Sequence, residues 1–512
     1  MKKNILLILF AWGTCMSCND FLEVTPQSRV VPADFLDSEL EVEQGVVAIY
    51  RQFRNLYINE QWKWTDLISD NTSNDTLSTD GFPEEIDEFL IQSGFGLIRT
   101  YWSSSYQGVY RCNIVIDALE NPDPGLRFEE ASTRNRAEGE ARFFRAFFYF
   151  NLVRLYGDVP LITMIFDGVD DRSTFANTPR EPINNIYEQL IIPDLLAAVD
   201  LLPNEYDALD LGRATSGAAL TLLGEVYLTR GDFPNAIETF ERVSSLGYTL
   251  NTNYQDNFAP ETKNGPESIF ELQFSLQVPQ PANFYRNWVP ANSGSSVIPS
   301  IDAQDAAGKN LPTQDLVAAF ETGDRRSDIS VAFFERTAQA QSGEDSTVFV
   351  PFINKYNYEF INERGLEGQD INFPVYRYAD VLLMLAEAYN ENTPGTVSES
   401  ALLLINRVRV RAGLEPILRG VDVADQQDLR LVILRERRVE LAFENKRWFD
   451  LLRMENYAPG FTLNLMEAHS QQEIAEKGGS LDPLAYQNIR LDLGIPREEV
   501  LLYGYEQNQG WE

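Results

Sequence analysis

The chain has 512 residues, with 77 acidic against 42 basic side chains and a formal net charge of −35 at pH 7. That charge disfavours nucleic acid and an anionic lipid surface as partners, because like charges repel over a Debye length of about 8 Å. The length exceeds what one hydrophobic core usually fills, so several cores, or a solenoid that grows by repetition, are expected; 44% apolar residues with 12% aromatics suffice to build them.

At the N-terminus Lys2 and Lys3 precede an apolar run from Ile5 to Trp12 and then small residues before Cys18, the order of a targeting segment. The run is too short to cross a bilayer as a helix. Ser17-Cys18 resembles a bacterial lipobox, which is cut before the Cys and lipidated on it, although Cys15 stands where lipoboxes usually carry Leu. Residues 1–17 then form a signal peptide, Cys18 carries the lipid, and the membrane is met through that lipid alone. Cys112 remains, in an apolar helical context, so stability rests on packing rather than on disulfides.

Helical periodicity runs from about Pro32 to Asn55. Trp62 to Gly81 follows as a loop crowded with Asp, Asn, Ser and Thr, which compete with the backbone and disfavour helix. Helical pattern resumes from about Glu84 to Leu119 and stops at NPDPG. Arg127 to Tyr156 carries aromatics on nearly all sides and should be a buried helix. Leu220, Leu223, Gly224, Tyr227, Gly231, Phe233, Ala236 and Phe240 stand at tetratricopeptide offsets, where small residues let two antiparallel helices approach. Leu382, Leu385, Ala386, Tyr389, Ala401, Ile405 and Val408 repeat the signature. The fold class expected is all-α dominated, a tetratricopeptide-like superhelix of helical pairs. Its segments are a helical scaffold over 18–250, a loop-rich insertion over 251–373 with short strands at Ser268–Phe274 and Thr347–Ile353, a second pair with a bracing helix over 374–455, and an irregular cap over 456–512.

The bracing helix is expected to be continuous from Ile433 to Arg453, free of Gly and Pro for about six turns. Its acids Glu436, Glu440, Glu444 and Asp450 read as a structural ion-pair row, balanced by Arg437, Arg438, Lys446 and Arg447 within a turn. The alternative reading is a catalytic or metal-binding row.

Catalytic equipment is sparse. The one histidine, His469, lies in a polar stretch read as a solvated helix face; no HExxH, GxSxG, Cys/His cluster or phosphate-cradling Gly loop occurs, so no catalytic residue, cofactor or metal is assigned. Asp70, Asn74, Asp75 and Asp80-Gly81 have calcium-loop character without the EF-hand spacing. Binding signals are stronger. Sugars present apolar C–H faces ringed by hydroxyls, and a site for them wants exposed rings flanked by amides and charges. Trp62 and Trp64 beside the polar loop, and Phe284, Tyr285, Asn287 and Trp288 in the insertion, have that composition.

Together SCNDFLEV, ARFFRAFFYFNLVRLYGDVPLI, LVAAFETGDRR, FPVYRYADVLLMLAEAYNE, INRVRVRAGL, the helix at Ile433 to Arg453 and the closing IP…QNQG resemble, in order, the RagB/SusD family of Bacteroidetes surface lipoproteins. The resemblance implies tetratricopeptide-like helical pairs anchored by lipid on the outer face of the outer membrane. It implies a non-enzymatic binder that captures oligosaccharide for a SusC-like TonB-dependent transporter. By loop position it maps Trp64, Asp70, Asn71, Tyr285 and Trp288 as ligand contacts. The net charge favours a neutral glycan, a glucan or fructan. A peptide-binding import lipoprotein of the same family, and a scaffold without a ligand, are the alternatives.

Overall fold

The computed structural model describes residues 36–75, 77, 82–165, 178–277, 281–299, 306–339, 345–363, 366–477, 482 and 484–511. Cys18, the signal segment, Asp80 and Gly81 lie outside them. Helix makes up 53%, and among the described residues the strands pair as small two-stranded sheets, in keeping with an all-α dominated chain.

Helix α1 (Glu39–Asn59) opens with a capping box: Glu41 N–H donates to Ser38 Oγ at 3.4 Å while Ser38 N–H donates to Glu41 Oε2 at 3.1 Å. Val42, Val46, Ile49, Phe53 and Leu56 then recur on one face and are buried. After β1 (Thr72–Ser73), the expected helix from Glu84 to Leu119 is found in two pieces, α2 (Phe82–Asp87) and α3 (Gly96–Glu120). Between them Phe89 adopts a left-handed φ of 55°, and the carbonyls of Glu88 and Ser93 accept from Tyr486 N–H at 2.7 Å and Arg497 N–H at 3.0 Å. A contact with the C-terminal cap thus replaces helical hydrogen bonds.

In α4 (Ala131–Tyr156) every residue from Phe143 to Val153 is buried, as the all-round aromatic pattern predicts. It packs on α3 and on α5 (Ile192–Leu201), the latter reached after the small pair β2 (Val159–Pro160) and β3 (Arg180–Glu181). Helices α6 (Ser216–Thr229) and α7 (Phe233–Ser244) form the first tetratricopeptide-like pair. A Cβ at Gly224 would stand 2.4 Å from Phe240 Cε1, so glycine there sets how closely the two helices meet.

The insertion carries β4 (Ser268–Leu272), β5 (Leu311–Pro312), α8 (Gln314–Ala319), the hairpin β6 (Val331–Gln339) and β7 (Asp345–Ile353), and the hairpin β8 (Phe360–Glu363) and β9 (Leu366–Gln369). Strand β10 (Phe373–Arg377) returns antiparallel to β4 and leads into α9 (Tyr378–Glu391), which pairs with α10 (Glu399–Arg411) and packs on α7. One apolar core links α1 through the insertion to Trp511.

The bracing helix is not continuous. Helix α11 (Gln426–Glu440) ends, and α12 (Arg447–Tyr457) begins after a non-helical link in which Phe443 and Asn445 have φ of 66° and 61°. Tertiary partners hold this costly backbone: Lys355 Nζ donates to Ala442 O at 2.7 Å, Tyr356 Oη to Phe443 O at 3.1 Å, and Trp448 N–H to Thr65 O at 3.0 Å. The acid row is paired, but mostly by distant cations. Glu436 meets Arg326 at 2.6 Å and Arg409 at 3.2 Å, and Glu444 meets Arg377 at 2.7 Å and Lys355 at 2.8 Å. Only Asp450 draws on Arg437, at 2.8 Å, and on Arg453, at 2.6 Å. Arg437 and Lys446 also meet Asp380 of α9, at 2.9 Å and 3.0 Å. The cap holds α13 (Phe461–Lys477) and α14 (Arg497–Tyr503). His469 on α13 is buried, its ring edge-on to Tyr486 at 6.3 Å, which corrects the solvated-face reading.

Candidate functional site

The loop after α1 and the insertion are stitched into one surface. β1 pairs antiparallel with β5, and Asp75 N–H donates to Gly308 O at 2.8 Å. The Asp75 carboxylate accepts Ala291 N–H at 3.0 Å and Arg336 Nη1 at 2.9 Å, which ties the β6–β7 hairpin to both loops. Tyr285 Oη donates to Ile353 O at 2.8 Å and fixes the hairpin's base from beneath.

Within this surface the structure brings the predicted aromatics together, but not as platforms. Trp288 is 1% exposed and Trp64 is fully buried; Trp62, Phe284 and Tyr285 are buried as well. Trp288 packs against Phe284 at 4.9 Å between centroids, Tyr356 at 5.9 Å, Trp62 at 6.0 Å and Phe373 at 6.3 Å. The correction has a simple cause: rings of this size close the core between the helices and the insertion, and the Pro/Asn/Ser-rich composition marks the turns that fold over them. Trp64 Nε1, Trp288 Nε1, Ser293 Oγ and Asn310 Nδ2 are buried without a hydrogen-bond partner, and all of them belong to these two loops.

Asp70 and Asn71 are likewise held inside. Arg447 grips Asp70 in bidentate fashion, Nε to Oδ1 at 2.7 Å and Nη2 to Oδ2 at 2.8 Å, and Arg438 Nε donates to Asn71 Oδ1 at 2.9 Å. Burial pushes the Asp70 carboxyl up, but the Arg447 and Arg438 guanidiniums outweigh it and hold it well below the usual carboxylate range. With Asp70 and Asp75 committed to arginines, the calcium-loop character has a structural explanation. Asn287 is half-buried, its backbone carbonyl accepting Lys309 N–H at 2.9 Å.

Two rings that the sequence reading did not single out are exposed. Phe333 and Phe349 are 52% and 62% exposed, and among the described residues they are the only phenylalanines or tryptophans so placed. Phe333 lies opposite Pro351 and Phe349 opposite Glu335, so the rings are diagonal neighbours on one face of the hairpin. Glu335, Thr337 and Thr347 are exposed on the same face. Apolar rings with hydroxyl and carboxylate groups between them can take the C–H face of a sugar and read its hydroxyls. The period-two alternation of β7 carried a signal for Phe349, but the identity of the outer face follows from Arg336 turning inward to Asp75.

A rigid helical scaffold that clasps loops and a hairpin over one surface defines a binding protein. Family models match residues 326–483, described as the SusD family, and residues 20–228, described as "Starch-binding associating with outer membrane". A SusD-like protein of Formosa agariphila, P2, is 28% identical over 479 residues, covering 89% of this chain and 91% of that protein. A SusD homolog from Bacteroides thetaiotaomicron superposes with a TM-score of 0.75 at 22% identity, over 94% of this chain and 98% of that one. A laminarin-binding SusD-like protein does so with a TM-score of 0.69 at 23% identity, over 93% of this chain and 100% of its own. The chain belongs to the SusD/RagB family of SusD-like proteins of Bacteroidetes. That family consists of non-catalytic, surface glycan-binding proteins associated with the outer membrane.

Proposed function

We propose that this protein captures a neutral glycan, a glucan or fructan, and passes it to a SusC-like TonB-dependent transporter, while lipid on Cys18 holds it at the cell surface. The observation that carries this reading is the pair of exposed rings, Phe333 and Phe349, on one polar-flanked hairpin face. In this reading the buried Trp62, Trp64, Phe284, Tyr285 and Trp288 form the base on which the loops rest, and Asp70, Asn71 and Asn287 set the loops; the unpartnered indole N–H groups of Trp64 and Trp288 are donors that a sugar hydroxyl would satisfy if the loops part. The charge of −35 favours a neutral ligand over an acidic polymer at this face.

The test is an affinity-gel and calorimetric screen over soluble polysaccharides, headed by laminarin because a protein of the same fold binds it. Binding of one neutral glycan that falls in the Phe333→Ala/Phe349→Ala double variant supports the reading. Binding of peptides with no glycan retained would replace it by peptide import.

A further inference from the structure

A cavity of about 730 Å³ lies far along the chain from the hairpin, between the 89–94 stretch and the C-terminal cap. Its walls include Gln92, Ser93, Asn488, Arg490, Arg497 and Trp511. In a protein with 77 acidic residues, none of the side chains lining this cavity is acidic. The nearby Asp492 is turned to Trp511, whose Nε1 donates to its Oδ1 at 3.1 Å.

Neither arginine makes an ion pair among the described residues, although the charge of Arg490 is felt by Asp492. Arg490 is also held in place. Its guanidinium lies over the Trp511 ring at 4.4 Å, and Gly494 packs against the same indole so closely that a Cβ there would come within 2.7 Å of it. A guanidinium held over an aromatic ring keeps its charge and retains N–H groups for a bidentate oxyanion. At the mouth Leu484 and Leu501 are 60% and 73% exposed and offer aliphatic surface beside the amides of Gln92 and Asn488.

From this geometry we infer that the cavity is a second saccharide site, for a sugar bearing an oxyanion, either a uronate carboxylate or a sulfate ester. Arg490 and Arg497 take the anion, Gln92, Ser93 and Asn488 read hydroxyls, and the leucines meet the C–H face. The volume suits a ligand of one or two sugar rings. The choice of a sugar over another anion rests on the glycan-binding character of the family, and the site is independent of the hairpin.

The test is calorimetry of the whole mature protein with D-glucuronate, glucose 6-sulfate and glucose. The expected result is binding of one or both anionic sugars and weaker binding of glucose, with Arg490→Gln and the exposed Arg497→Gln each weakening the anionic sugar by about tenfold. The Phe333→Ala/Phe349→Ala variant should keep full affinity for the anionic sugar, so that failure of the hairpin reading and failure of this one are separable. Glucose binding as tightly as the anions, inorganic sulfate competing as well as glucose 6-sulfate, undiminished affinity in both arginine variants, or binding of none of the three sugars would each overturn the assignment.

Discussion

Arg377 Nη1 stands 2.9 Å from Glu440 Oε1 in a site where neither side chain reaches solvent. Glu440 also receives Arg326 at 3.0 Å and Arg411 at 2.6 Å, so three guanidiniums converge on one carboxylate at the end of α11. Burial raises its pKa, but the arginines prevail and hold it well below the usual range. Glu440→Gln keeps the shape and removes the charge, leaving buried guanidiniums under-compensated. A loss of about 3 to 5 kcal/mol in urea unfolding is expected; a loss within experimental error would show that the network relaxes around the amide.

Trp288 fills the junction of helices and insertion, so Trp288→Ala removes core rather than an exposed ring. Stability should fall by about 3 to 5 kcal/mol, read as a lower thermal midpoint by calorimetry. Full retention of the midpoint would mean that the ring is not part of the folded core.

The hairpin rings behave in the opposite way. Phe333→Ala and Phe349→Ala, made in exposed positions, should leave the thermal midpoint nearly unchanged. Binding of the neutral glycan should weaken by about 1 to 3 kcal/mol, the range for losing a stacking ring at a binding face. Unchanged affinity in titration calorimetry removes the hairpin from the site.

Asp66 gives the protein a pH dependence of defined sign. Burial pushes its carboxyl up to about 7, against a hydrogen bond from Asn445 N–H and the attraction of Lys355, and its Oδ1 has no partner. Its folded pKa lies above the unfolded value, so its contribution is complete below the ordinary carboxylate range and is lost as pH rises through about 7, at up to about 1.4 kcal/mol per pH unit. Asp66→Asn should therefore match the parent only below about pH 4, exceed it in thermal midpoint by a growing margin up to about pH 7, and hold that margin at about pH 8.5. Asp380 works in reverse. Burial raises it, but Lys446 and Arg437 bring it down to about 2, so its stabilisation is present at neutral pH and disappears only as pH falls through that value.

For the anchor, Cys18→Ser should abolish metabolic labelling with a fatty acid and release the protein from the membrane fraction. Labelling that survives would place the lipid elsewhere.

The repeat signature was legible because it is local: Gly224 facing Phe240, and the matching positions of α9 and α10, encode helix approach in spacing alone. The buried α4 and the strand alternation of the insertion were legible for the same reason. The break at residues 441–446 was not, since no Gly or Pro marks it and the bonds that hold Phe443 and Asn445 come from Lys355, Tyr356 and Asp66, far away in the chain.

Composition and periodicity pointed to helical pairs, a row of acids balanced by cations and sparse catalytic equipment, and the resemblance to a family added the binding role. Which cation neutralises Glu440, and whether Trp288 or Phe333 meets the solvent, only the tertiary structure decided. Ion pairing and burial depend on segments brought together across the chain: Arg326 reaches α11 from the insertion and Arg377 from the end of β10, and Arg336 turns the hairpin so that Phe333 and Phe349 face outward.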